Sequence, residues 1–110
     1  MFDKKAIKRA GECVAYIKKV GEIKYGKTRL NYGRGEQYGN TPVEYSIIFK
    51  VGEQYFHFFT SDFRWFDNMT VRTCEGERDF RGGSNYAIDN VEDLRYFVEQ
   101  KVAGKGVAYA

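Results

Sequence analysis

From Tyr55 to Phe66 the chain reads YFHFFTSDFRWF, seven aromatic side chains in twelve residues. Successive side chains of an extended strand point to opposite faces, so one sheet face cannot take all of these rings. Some must lie on a second face, either against another layer of the fold or open to a partner.

The segment before this run fixes how it pairs. In VEYSIIFKV, Val43, Tyr45, Ile47, Phe49 and Val51 alternate with Glu44, Ser46, Ile48 and Lys50, the period of a half-buried strand. Gly52-Glu53 then offers a two-residue turn, with glycine supplying the positive φ that tight hairpins require. That turn opposes Lys50 to Tyr55, Phe49 to Phe56, Ile48 to His57, Ile47 to Phe58 and Ser46 to Phe59. Tyr45, Ile47, Phe49, Phe56 and Phe58 then form a core face. Ser46, Ile48, Lys50, Tyr55, His57 and Phe59 form a mixed opposite face. A slip of one residue would instead send Tyr55, His57 and Phe59 inward; the first register is preferred because it buries Phe56 and Phe58.

Helical periodicity brackets this hairpin. Over residues 3–20, Phe2, Ala6, Ile7, Ala10, Cys13, Val14, Ile17 and Val20 fall on one stripe, with lysines and arginines on the other side. Asp3 is placed to cap the start and Gly21 to provide a left-handed exit. Near the C-terminus, Asn90 precedes a second stripe of Val91, Leu94, Phe97, Val98 and Val102. Between the helices, residues 23–32 read as a strand or irregular hairpin, Met69 to Cys74 as a strand, and Tyr86 to Asp89 as a short one. Gly-rich loops fall at about 33–42 and 75–85, and residues 103–110 form a tail. Residues 61–68 are a compact connection whose Phe63, Trp65 and Phe66 are expected to tuck against the body. The expectation is one α+β domain over residues 1–110: a single antiparallel sheet of three to five strands, with the N-terminal and C-terminal helices on one face.

Composition bounds the function. The 110 residues suit one domain with a core that needs no staples. Two cysteines, far apart, make no disulfide framework, and no signal peptide or apolar run of membrane-spanning length is visible. A cytoplasmic setting with reduced thiols is expected, the host cytoplasm if the chain is phage-encoded. Net charge is +3, divided as +7 over residues 1–34 and −4 over the rest; the asymmetry can mark a surface for phosphates or an acidic protein, or the two segments pack together and cancel.

No P-loop, dinucleotide fingerprint or paired-carboxylate spacing is present, and two cysteines with one histidine fall short of a zinc site. No cofactor or metal is expected. His57 and Cys74 could form a base and nucleophile from neighbouring strands, a minor possibility. If both helices shelter one face, Ile48, Tyr55, His57, Phe59 and Arg72 make an aromatic and basic patch on the other, with Lys50 on the same face. The 61–68 connection (Arg64, Trp65) and the loops bearing Arg29, Tyr32, Arg34 and Arg81 complete the candidate surface. Alternatively, the 61–68 connection or the 23–41 segment folds over that face and makes a second small core. Tyr, Trp and Arg dominate protein hot spots, so the first expectation is a non-enzymatic protein that binds another protein stoichiometrically, in the manner of inhibitors carried by phages and mobile elements. The second is a single-stranded nucleic-acid-binding module on the same face, where rings stack on bases and cations hold phosphates. Pairing of two copies through a sheet edge is open to either.

Overall fold

The computed structural model describes residues 4–31, 41–80 and 82–106. Helix α1 (Lys4–Val20) leads into strands β1 (Glu22–Asn31), β2 (Thr41–Val51), β3 (Gln54–Thr60), β4 (Met69–Cys74) and β5 (Tyr86–Ile88), and helix α2 (Val91–Val102) follows. The strands form one open antiparallel sheet in the order β1-β2-β3-β4-β5. Helix α1 packs on β1 and β2, helix α2 on β3, β4 and β5, and the helices touch each other. The expected α+β arrangement is therefore the one observed, with five strands and both helices on one face.

Periodicity explains which side chains face inward. Ala6, Ala10, Cys13 and Ile17 of α1 meet Ile47, Phe49, Phe56, Phe58 and Val71 of the sheet, and Leu94, Phe97 and Val98 of α2 complete this core. Phe49 stacks on Phe56 with ring centroids 5.3 Å apart, and Phe97 meets Phe56 edge-on at 6.1 Å. Val20 and Val102, the outer members of the two predicted stripes, stay exposed where each helix ends.

The hairpin has the register that alternation dictates: Lys50 opposes Tyr55, Phe49 Phe56, Ile48 His57, Ile47 Phe58 and Ser46 Phe59. Gly52 adopts φ 61°, which glycine alone reaches without a Cβ penalty. Asn90 caps α2, its Oδ1 accepting from the Asp93 amide at 3.0 Å. Asp3, the expected cap of α1, lies outside the described residues. Gly21 differs from expectation. It takes no left-handed conformation; a Cβ there would lie 3.0 Å from the Phe49 ring and 3.2 Å from the Lys50 carbonyl. Its role is close approach of the α1–β1 turn to the end of β2.

Candidate functional site

On the face away from the helices, the register sets Tyr25, Ile48, His57 and Arg72 in one row across β1 to β4, and Lys27, Ser46, Phe59 and Thr70 in the next. This is the mixed face anticipated from alternation. It is not an open platform, however. Ile48, His57 and Arg72 are buried, the last two at 6% and 2% exposure, because the segment after β4 folds back over them. Among the described residues the covering segment is the charged loop around Asp79 and Phe80, not 61–68; residues 32–40 of the 23–41 segment lie outside the described residues.

Arg72 holds that loop in place. Its guanidinium donates to the backbone carbonyls of Thr73, Asp79 and Gly82, and the Asp79 carboxylate stands 3.9 Å away. Asp79 in turn accepts from the amides of Glu75 and Gly82 at 2.9 and 2.8 Å. A buried cation is tolerated only when its donors are met, and here backbone oxygens meet them. Phe80 lands at the centre of the face. Its ring meets Tyr25 at 5.2 Å and His57 at 5.6 Å, both nearly perpendicular, and remains 46% exposed.

Beside Phe80 a groove of about 560 Å³ remains, lined by Tyr25, Lys27, Arg29, Glu44, Ser46, His57 and Phe59 among others. Its polar floor is a pair: Ser46 Oγ and His57 Nε2 lie 2.8 Å apart. Among the described residues His57 Nδ1 has no hydrogen-bond partner, and it is closed to water. Burial, reinforced by the Arg72 charge, lowers the His57 pKa from 6.5 to about 4, so the imidazole is neutral at physiological pH. The His57 ring lies against Phe59, with centroids 4.7 Å apart. Arg29 pairs with Glu44 across the strands at 2.6 Å. Lys27 has no ion-pair partner among the described residues.

Lys50 and Tyr55 sit apart from the groove, at the hairpin end, where the Lys50 ammonium lies 5.4 Å from the Tyr55 ring centre and 3.8 Å from Glu53. Tyr55 and Phe59 each keep part of their surface open. Tyr32, Arg34 and Arg81 lie outside the described residues.

The 61–68 loop forms a second, differently built surface. Its neck is closed by Ser61, whose amide donates to the Asn68 carbonyl at 2.9 Å and whose Oγ accepts from the Asn68 amide at 3.0 Å. Phe63 is fully buried and its amide donates to the Val43 carbonyl at 2.8 Å. Asp62 organises the tip: its carboxylate takes both the Arg64 amide and a two-pronged guanidinium contact at 3.0 and 2.6 Å, and its carbonyl accepts from the Trp65 and Phe66 amides. The Arg64 bonds hold the Asp62 carboxyl below its ordinary value. Trp65 and Phe66 do not tuck against the body as expected; they stand 72% and 67% exposed. Only Phe63 of the three anchors inward.

The cysteines are buried and free. Burial pushes the Cys13 thiol up to about 12 and raises that of Cys74, which disfavours the reactive thiolate. Among the described residues no group of three His, Cys, Asp or Glu side chains is placed to hold a metal, and no helix is long and apolar enough to cross a membrane. Sequence reasoning left Tyr25, Lys27 and Ser46 out of the candidate surface, although Ser46 was placed on the right face; β1 carried too weak an alternation to orient its side chains. No protein-family model, curated protein or solved structure matches the chain.

Proposed function

We propose that this protein is a non-enzymatic binding protein that acts stoichiometrically, by occupying a surface on another protein in the manner of an inhibitor. The observation that carries this reading is the 61–68 tip. Two large aromatic side chains, Trp65 and Phe66, are held out in water on a loop fixed at its neck, at Phe63 and at Asp62. Holding such rings in solvent forgoes the stabilisation their burial would give. Rigid presentation lowers the ordering cost of association, and Trp beside Arg is the composition of an interface anchor.

Catalysis draws less support. His57 is bonded through Nε2 to Ser46, no carboxylate among the described residues bonds its Nδ1, and a base titrating near 4 lies far below the range that suits proton transfer at neutral pH. Both thiols are shifted away from nucleophilic character.

The test is affinity capture from the native host, with the wild-type protein and a Trp65→Ala/Phe66→Ala variant as parallel baits. The variant is expected to keep its stability within about 1 kcal/mol, since neither ring is buried. Its purified partner should bind at least about tenfold more weakly, the loss of a single hot spot of modest size. Capture of the same partner with equal affinity by both baits would overturn the reading.

A further inference from the structure

The groove on the far face has a chemistry of its own, independent of the Trp65–Phe66 tip. Three rings border it: Tyr25 and Phe80 are exposed, and Phe59 is half-buried. At its floor, Ser46 is half-buried and bonds to a neutral imidazole. At its rim stands Lys27, directly opposite Ser46 in the strand register, with Arg29 next along the same face and engaged through Nε by Glu44. The volume of about 560 Å³ falls in the range of small-molecule sites, which join apolar walls to a few convergent polar groups.

The geometry points to a binding site for a mononucleotide, with the base against the Tyr25, Phe59 and Phe80 rings and the phosphate on Lys27. Aromatic faces stack on any base. The Ser46–His57 pair can meet a base edge in two ways: if Ser46 donates to Nε2, its oxygen remains an acceptor, and if Nε2 donates to Ser46, the hydroxyl hydrogen is free to be given. Base-tolerant recognition follows. A strand of nucleic acid fits less well. The loop held by Arg72 covers the central row and leaves a bounded groove rather than a platform for successive bases.

The experiment is an amide-resolved NMR titration of the whole protein with the four 5′-monophosphates AMP, GMP, CMP and UMP. Adenosine, inorganic phosphate and a dT oligonucleotide serve as separate arms. Titration to about 5 mM registers even a millimolar Kd. All four nucleotides are expected to shift the amides of Lys27, Ser46, His57 and Phe59, with affinities within about tenfold of each other, since stacking is tolerant of base identity. Lys27→Glu should weaken AMP about tenfold and adenosine little, and Tyr25→Ala should weaken both, as expected when a charge pair and a stack are removed separately. Both variants alter exposed side chains, and their thermal midpoints verify the fold. Absence of shifts overturns the proposal. So does phosphate binding as tightly as AMP, which means an adventitious anion only, and so does binding of the oligonucleotide without the mononucleotides. The Trp65→Ala/Phe66→Ala variant should bind AMP like the wild type, so this inference and the protein-binding reading can fail separately.

Discussion

At His57, burial and the neighbouring Arg72 charge set the sign of a pH effect. The folded value is near 4 and the ordinary value 6.5, so the unfolded chain takes up the proton first as pH falls. Stability is therefore unaffected above about pH 7 and declines between 6.5 and 4, by at most about 3 kcal/mol. Among neighbouring charges, Arg72 strengthens the effect and Asp79 opposes it. Thermal midpoints measured across that window should fall in the wild type and stay nearly level in His57→Leu. The Asp62 carboxyl, lowered by Arg64, contributes its stability throughout the neutral range and loses it mainly as pH falls below the ordinary carboxyl value, at the acid end of this window and beyond. A wild-type curve as flat as the variant's would mean that the imidazole accepts its proton inside the fold at the usual pH.

Among the elements, the loop that follows β4 decides what the far face can do. Its attachment is one guanidinium reaching backbone carbonyls, with Asp79 bonding the loop's own amides. Arg72→Met keeps much of the apolar stem but strands those carbonyls. The expected cost is about 2–4 kcal/mol, the upper range for losing charge-assisted bonds and leaving buried acceptors unmet. Urea unfolding reads the cost, and hydrogen exchange should show the Glu75 and Gly82 amides losing protection while β2 and β3 keep theirs. Uniform loss of protection across the sheet would show that Arg72 supports the whole fold rather than this loop. The 61–68 connection contrasts with it, since Phe63 secures it from the helix-side core while its tip stays in water.

Over the whole molecule, a helix layer, a sheet and a partial loop layer divide the aromatic residues between two interiors and the surface. The first interior dominates stability. Phe56 touches both Phe49 and Phe97, so Phe56→Ala should cost about 3–5 kcal/mol, read as a lower urea midpoint with the unfolding slope unchanged. A cost under about 1 kcal/mol, typical of surface sites, would contradict the packing. The charge asymmetry of the sequence is partly resolved by the same architecture. Glu44 of β2 meets Arg29 of β1 across the two segments, while Lys24 pairs with Glu22 inside the basic segment and Lys5, Lys8, Lys18 and Lys19 remain exposed on α1.

Much of this fold was legible in the residues because periodicity is local. Alternation from Val43 to Val51 and the glycine at 52 dictated the β2–β3 register residue by residue, and the stripes of α1 and α2 contained every buried side chain of the two helices, with Ile7, Val14 and Val91 half-buried, Val20 and Val102 exposed, and Phe2 outside the described residues. The candidate site was legible only in part. Tyr55, His57, Phe59 and Arg72 were assigned to the right face, yet which of them meets water depended on where the segment after β4 comes to rest. That placement is decided by Arg72 bonding to carbonyls that every residue possesses, and an acceptor common to all positions leaves no mark in a sequence. The same reason applies to Trp65 and Phe66: their residue types call for burial, and only the turn that Asp62 builds, anchored through Phe63, holds them outside.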